Sequence, residues 1–162
     1  MNKLIVSGLL WFSAIGAGLI AGVFFAFSTF VMTALGRSGQ VPGILAMNSI
    51  SSTILQSLFM PVFYGTTLTS AALAVIAFSR WGGSRSMVVL AAAILYVLGM
   101  FVCTIVFNVP LNDALAAVDP ASTDGATVWA RFLSDWTFWN HVRTIASLGA
   151  AALFTYALCA RT

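Results

Sequence analysis

Three sets of polar residues recur one helical turn apart in an otherwise apolar chain. Asn48, Ser52 and Gln56 are spaced by four, as are Thr104, Asn108 and Asn112; a third set lies in Trp136-Thr137-Phe138-Trp139-Asn140-His141-Val142-Arg143-Thr144. Residues four apart share a helix face, so each set can present amides and hydroxyls to one pocket. Asn amides and an Arg guanidinium can hydrogen-bond an oxyanion as it develops. An imidazole exchanges protons near neutral pH, and indole rings stack on flat aromatic ligands. On these grounds His141, Arg143 and Asn108 are the candidates for catalysis. Asn48, Ser52, Gln56, Asn112, Trp136, Trp139 and Asn140 are the candidates for ligand binding.

Helical geometry restrains this reading. At about 100° per residue, Trp136, Asn140, Arg143 and Ser147 share one face, whereas His141 lies about 160° from Arg143. His141 therefore joins the pocket only from a distorted helix start, or else it faces a neighbouring helix as an ordinary hydrogen-bonding residue. Arg143 with Asn140 is the safer pair. The alternatives are structural: Arg143 could snorkel to lipid headgroups, and the Asn residues could tie helix ends together. Metal chemistry is poorly supported. The chain has no Glu, one His, and two cysteines, Cys103 and Cys159, in apolar runs. A di-iron bundle needs several carboxylates with Glu-x-x-His pairs, and zinc needs three or four Cys, His or Asp ligands. Neither a Gly-rich phosphate loop nor a G-x-S-x-G elbow is present. No metal and no cofactor is expected.

The elements that must position these residues follow from composition. Of 162 residues, 60 % are hydrophobic and only 7 % charged, with a net charge of +3; soluble domains carry about 45–50 % and about 25 %. That excludes a soluble globular domain, a disordered chain and a disulfide scaffold. The few basic residues are scattered, which argues against nucleic-acid binding. Charge-free runs cover Leu4 to Leu35 (32 residues), Ile44 to Ser79 (36), Met87 to Val109 (23) and Ile145 to Ala160 (16). A spanning helix needs about 20 apolar residues, so the fold class is an all-α integral membrane protein, a four-helix transmembrane bundle forming a single domain over 1–162. The spans are expected at 4–33, 61–79, 87–109 and 142–160. The N-terminus starts like a signal peptide, but its apolar run exceeds the usual 7–15 residues and reads as a retained anchor.

Two runs are too long for one crossing. In the second, the excess is polar, which gives an outer half-helix over 44–59, with Pro61 kinking the chain. An outer interfacial helix over 126–139 carries Trp129, Phe132, Trp136 and Trp139, with Asp124 and Gly125 at its start, so the bundle should bear a small outer helical cap. Orientation follows basic residues. Lys3, Arg80, Arg85 and Arg161 fall on one side; Arg37, Arg131, Arg143 and all four Asp fall on the other. Both termini are therefore expected in the cytoplasm, with the setting a bacterial inner membrane, Trp81 at the inner interface and the polar sets in the outer half. Ala14, Gly18, Gly22 and Ala26 recur every four residues on the first span and could let another helix approach closely, either inside the bundle or in a homo-oligomer.

Several stretches carry a family resemblance across nearly the whole chain. These are Gly18-Leu-Ile-Ala-Gly22-Val-Phe-Phe, Ala46-Met47-Asn48-Ser49-Ile50, Asn108-Val109-Pro110-Leu111-Asn112 and Trp136-x-x-Trp139-Asn140-x-x-Arg143-Thr144. Together they resemble the anthrone-oxygenase-like family of small four-helix membrane proteins, many of whose members have no assigned activity. The resemblance implies oxidation of an anthrone to an anthraquinone without metal or flavin. Two functions stay open. One is a cofactor-independent monooxygenase acting on an electron-rich aromatic or polyketide-like substrate in an outer-leaflet pocket. In it, Asn108, Asn112 and Arg143 would hold the oxyanion, His141 would act as base, and Trp136 and Trp139 would stack on the rings. The other is a non-catalytic protein of the lipid bilayer that binds a lipid, a quinone or a partner subunit.

Overall fold

The computed structural model describes residues 3–79 and 83–159. Arg80, Trp81 and Arg161, invoked above for orientation and the inner interface, lie outside the described residues. Every regular element among those described is helical. Helix α1 runs Lys3–Arg37, α2 Gln40–Ile54, α3 Phe59–Ser79, α4 Ser84–Ala117 and α5 Thr123–Cys159. Four of them, all but α2, are long and apolar enough to cross a membrane. The protein is a multi-pass membrane bundle, and four crossings leave both chain ends on one side. The opposite end carries α2 and the connections 38–39 and 118–122; we call it the cap end.

Local chemistry explains the boundaries. Gly39, at φ +95°, is in the left-handed region that glycine adopts without steric cost, and it turns the chain from α1 into α2. Gln40 then fixes the start of α2 to the α4–α5 connection: its Nε2 donates to the carbonyls of Pro120 at 2.9 Å and Ser122 at 2.8 Å. Helix α2 ends at Ile54 rather than 59, and the turn 55–58 separates it from α3. Pro61 thus falls in the first turn of α3, where its missing N–H costs nothing. The chain breaks ahead of the proline instead of kinking at it.

The third span runs past the expected 109 to Ala117, straight through Pro110. A proline inside a helix removes one hydrogen bond and clashes with the carbonyl four residues back. Here the turn immediately before it, Thr104–Asn108, is π-helical, as is Leu95–Val102, and the wider winding accommodates the ring. Nor are 126–139 and 142–160 separate: α5 is one continuous helix of 37 residues. Ser122 caps it, its Oγ accepting the Gly125 N–H at 2.9 Å, so Asp124 sits in the first turn rather than at the cap.

Two apolar cores result. One fills the bundle, with Leu10, Ile20, Leu73, Tyr96 and Phe154 fully buried. The other fills the cap, where Met32, Ile44, Met47 and Leu115 surround the stacked rings of Trp129, Phe132 and Trp136. Trp129 and Trp136 are therefore core residues of the cap and do not face headgroups. The small-residue stripe of α1 is also placed differently. Gly18 and Gly22 have no atom of another described element within 4 Å of where a Cβ would stand. The close approach inside the bundle is made by Gly16, whose Cβ would collide with Thr66 Oγ1 of α3. The stripe does not serve internal packing at those two positions.

Candidate functional site

Arg143 is the centre of the site. It lies on the buried face of α5 with Trp136, Asn140 and Ser147 and is 4 % exposed. Its guanidinium reaches α1, where Cζ stands 4.1 Å from the centroid of the Phe24 ring; on α5 it stands 4.9 Å from that of Trp136. Both are cation–π distances. Nη2 donates to Asn140 Oδ1 at 2.7 Å, and Nη1 to Thr104 Oγ1 of α4 at 3.4 Å. Asn140 is itself held from behind: its Nδ2 donates to the Phe24 carbonyl and to Ser28 Oγ, each at 2.8 Å. The amide group is thereby oriented with its oxygen towards the arginine. Three helices converge on one cation, and α1 does so next to its own π-helical turn, Phe27–Val31. Such turns cluster at functional sites.

Among the described residues no carboxylate forms an ion pair or a hydrogen bond with Arg143, although Asp113 lines the same cavity. The one ion pair among the described residues is Arg131 to Asp135 on the surface of α5. Arg143 Nε is buried without a partner. A charge held in a membrane interior with no counter-charge costs several kcal/mol, so such residues mark sites where something else supplies the charge. Beside it lies a cavity of about 350 Å³. Phe24, Phe27, Phe59, Phe63 and Trp136 make its aromatic wall, and its polar lining includes Asn48, Ser52, Thr104, Asn112 and Asp113. Asn112 Oδ1 and Trp136 Nε1 are buried without partners. Among the described residues, no three His, Cys, Asp or Glu converge where a metal could be held.

The structure brings together Arg143, Trp136, Asn112, Asn48 and Ser52 on this cavity, with Asn140 behind Arg143. It does not bring in the others. His141 is exposed on the far side of an unbroken α5, because no distortion at the helix entry turns it inward; the catalytic role sketched for it has no geometry here. Gln56 is exposed in the turn after α2, since that helix ends before it. Asn108 is buried but turns to α5, donating to the Trp136 carbonyl at 3.2 Å. The π-helical turn between Thr104 and Asn112 takes it off their shared face. Trp139 lies a shoulder away from Trp136 and stacks on Phe107, centroids 3.6 Å apart, outside the cavity. Phe24 and Ser28, which complete the arginine's setting, carry no signal for it in their own spacing. Asp113, which also lines the cavity, appeared in the sequence only as a charge on the outer side.

Fold and site together define a class: a four-span helical membrane protein with a capped, aromatic-walled cavity built around one buried arginine. Residues 56–153 match the family model for anthrone oxygenase, and the chain belongs to that family. The matched stretch holds Thr104, Asn112, Trp136, Asn140 and Arg143, whereas Phe24, Ser28 and Asn48 precede it. No curated protein and no solved structure matches the chain.

Proposed function

We propose that this protein is a cofactor-independent monooxygenase that converts an anthrone-like hydroxyaromatic to the corresponding quinone in the cavity beside Arg143. The observation that carries the reading is the buried guanidinium without a carboxylate partner, facing aromatic walls. An anthrone that passes a proton from its central CH₂ to the carboxylate of Asp113, the acid that lines the same cavity, becomes an enolate, whose oxygen carries the charge and whose carbon is electron-rich. That oxyanion is the missing counter-charge. Arg143 and Asn112, which both line the cavity, are the groups we assign to bind it, in a low-dielectric setting where such stabilisation is worth most. The enolate carbon reduces O₂ and bonds to it, giving a hydroperoxide after proton uptake. Loss of water then leaves the quinone carbonyl. The sum is anthrone plus O₂ to anthraquinone plus H₂O, with the four electrons for O₂ supplied by the substrate.

A second reading has its own support. Among the described residues no imidazole or carboxylate is hydrogen-bonded to the Arg143 cluster, so a purely binding site for an acidic lipid or quinol would need nothing that is absent. Oxygen consumption distinguishes the two. Purified protein in nanodiscs, given 1,8-dihydroxyanthrone in air, should speed oxygen uptake and anthraquinone formation above the protein-free rate, and Arg143→Leu should return both to that rate. Binding without faster uptake would leave the second reading. By the basic-residue argument, the cap end and its cavity lie on the outer face of a bacterial inner membrane.

A further inference from the structure

The mouth of the cavity has an unusual placement. Most of its exposed lining residues fall in one band: Ile105, Val109, Asp113 and Ala116 follow one another along α4, and Ser52, Leu55 and Tyr64 come from α2, the α2–α3 turn and the second turn of α3, while Val23 of α1 is exposed outside it. The reason is the divergence of α3 from α4. They pack closely over Ser84–Ile94 and thinly over Leu95–Val102, while Thr104–Asn108 leans on α5. Towards the chain ends the gap is shut by Phe101, whose ring meets Phe63 and Tyr64 at 5.5 and 6.2 Å. Above that sill a slot is left, and it is graded. Its lower rim is made by the apolar or aromatic side chains of Tyr64, Ile105 and Val109. Its upper rim carries Ser52 of α2 and Asp113, which stands about 12 Å beyond Ile105 along α4 at the usual helical rise. A slot meant for a water-borne ligand would be polar along its length.

We propose that the ligand enters sideways from the bilayer through this slot, as a membrane-dissolved hydroxyaromatic weak acid whose rings pass Tyr64 and Ile105 and whose hydroxyl edge reaches Arg143. The aromatic wall and the unpartnered cation select a flat apolar body with an acidic oxygen, and the apolar rim puts its entrance in lipid. This route rests on reading the cavity as a substrate site.

Spin labels test it in vesicles of phosphatidylcholine and phosphatidylglycerol. On a Cys103→Ser/Cys159→Ser background, Tyr64→Cys, Ile105→Cys and Leu19→Cys each carry one nitroxide; Leu19 is on the lipid face of α1, away from the slot. The probe is 1,8-dihydroxyanthraquinone, whose binding is read as induced circular dichroism in its visible band, a signal that free or lipid-dissolved dye lacks. Labels at 64 and 105 should be relaxed by oxygen from the lipid and not by an aqueous nickel chelate. Bound dye should at least halve that oxygen accessibility at both while leaving position 19 unchanged. Nickel relaxation at 64 or 105 overturns the route, as does dichroism with unmoved labels. Dye that never shows dichroism sinks both the route and the oxygenase reading, whereas dichroism without turnover of the anthrone sinks only the latter.

Discussion

At the scale of single residues, the unusual investment is Arg143. A buried cation that merely holds helices together should be replaceable only at a loss. One kept for a ligand should be replaceable at a gain in the empty protein, because exchanging a buried charge for an apolar side chain is often neutral or stabilising. We therefore expect Arg143→Met to leave the thermal midpoint of the empty protein unchanged or higher, by differential scanning fluorimetry in detergent. The same variant should weaken dihydroxyanthraquinone binding about 10- to 100-fold, the worth of a charged hydrogen bond of about 1.5–3 kcal/mol. Arg143→Lys should restore only part of that, since an ammonium cannot reproduce the planar fork. His141→Ala is the contrasting case. On an exposed face, it should change binding and turnover by no more than about twofold, the usual range for surface substitutions of about 0.5 kcal/mol; a tenfold loss would restore it as a base.

At the scale of the elements, the glycines of α1 offer a paired test. Gly16→Ala drives a methyl group into Thr66 and should destabilise by about 1–3 kcal/mol, as overpacking does. Gly18→Leu, with open space around it, should leave the melting temperature of the monomer where it is. The same contrast shows what the sequence could and could not reveal. The shared face of Trp136, Asn140 and Arg143 was legible because α5 is an unbroken α-helix and the 100° rule holds along it. Asn108 and Gln56 were misplaced where that rule stops, at a π-helical turn and at a helix end. Four spans were legible from hydropathy alone. The length of α4 was not, because Pro110 reads as a terminator unless the π-helical turn before it is known. Phe24 and Ser28 meet Asn140 from 116 and 112 residues away, a pairing that no local period encodes.

At the scale of the whole molecule, four crossings place both termini on one side, and we propose that this side is the cytoplasm, from the basic residues Lys3, Arg80, Arg85 and Arg161 against Arg37, Arg131 and Arg143. Phosphatase and fluorescent-protein fusions at each end should agree with one another and report cytoplasm. Phosphatase activity at both would invert the molecule and move the cavity to the other leaflet; a split result would contradict the four-span architecture.

The pairing of α1 with α5, the most extensive helix contact in the bundle, has a consequence for biogenesis. Helix α1 leaves the ribosome well before α5 and must wait for it before it finds its partner, and closing so long a loop delays such a contact. In the interval, Asn140 has not been made, so the Phe24 carbonyl and Ser28 lack the amide that later binds them. Nascent chains stalled before Asn140 should accordingly be prey for membrane quality-control proteases, and the chamber around Arg143 is complete only once α5 has been made.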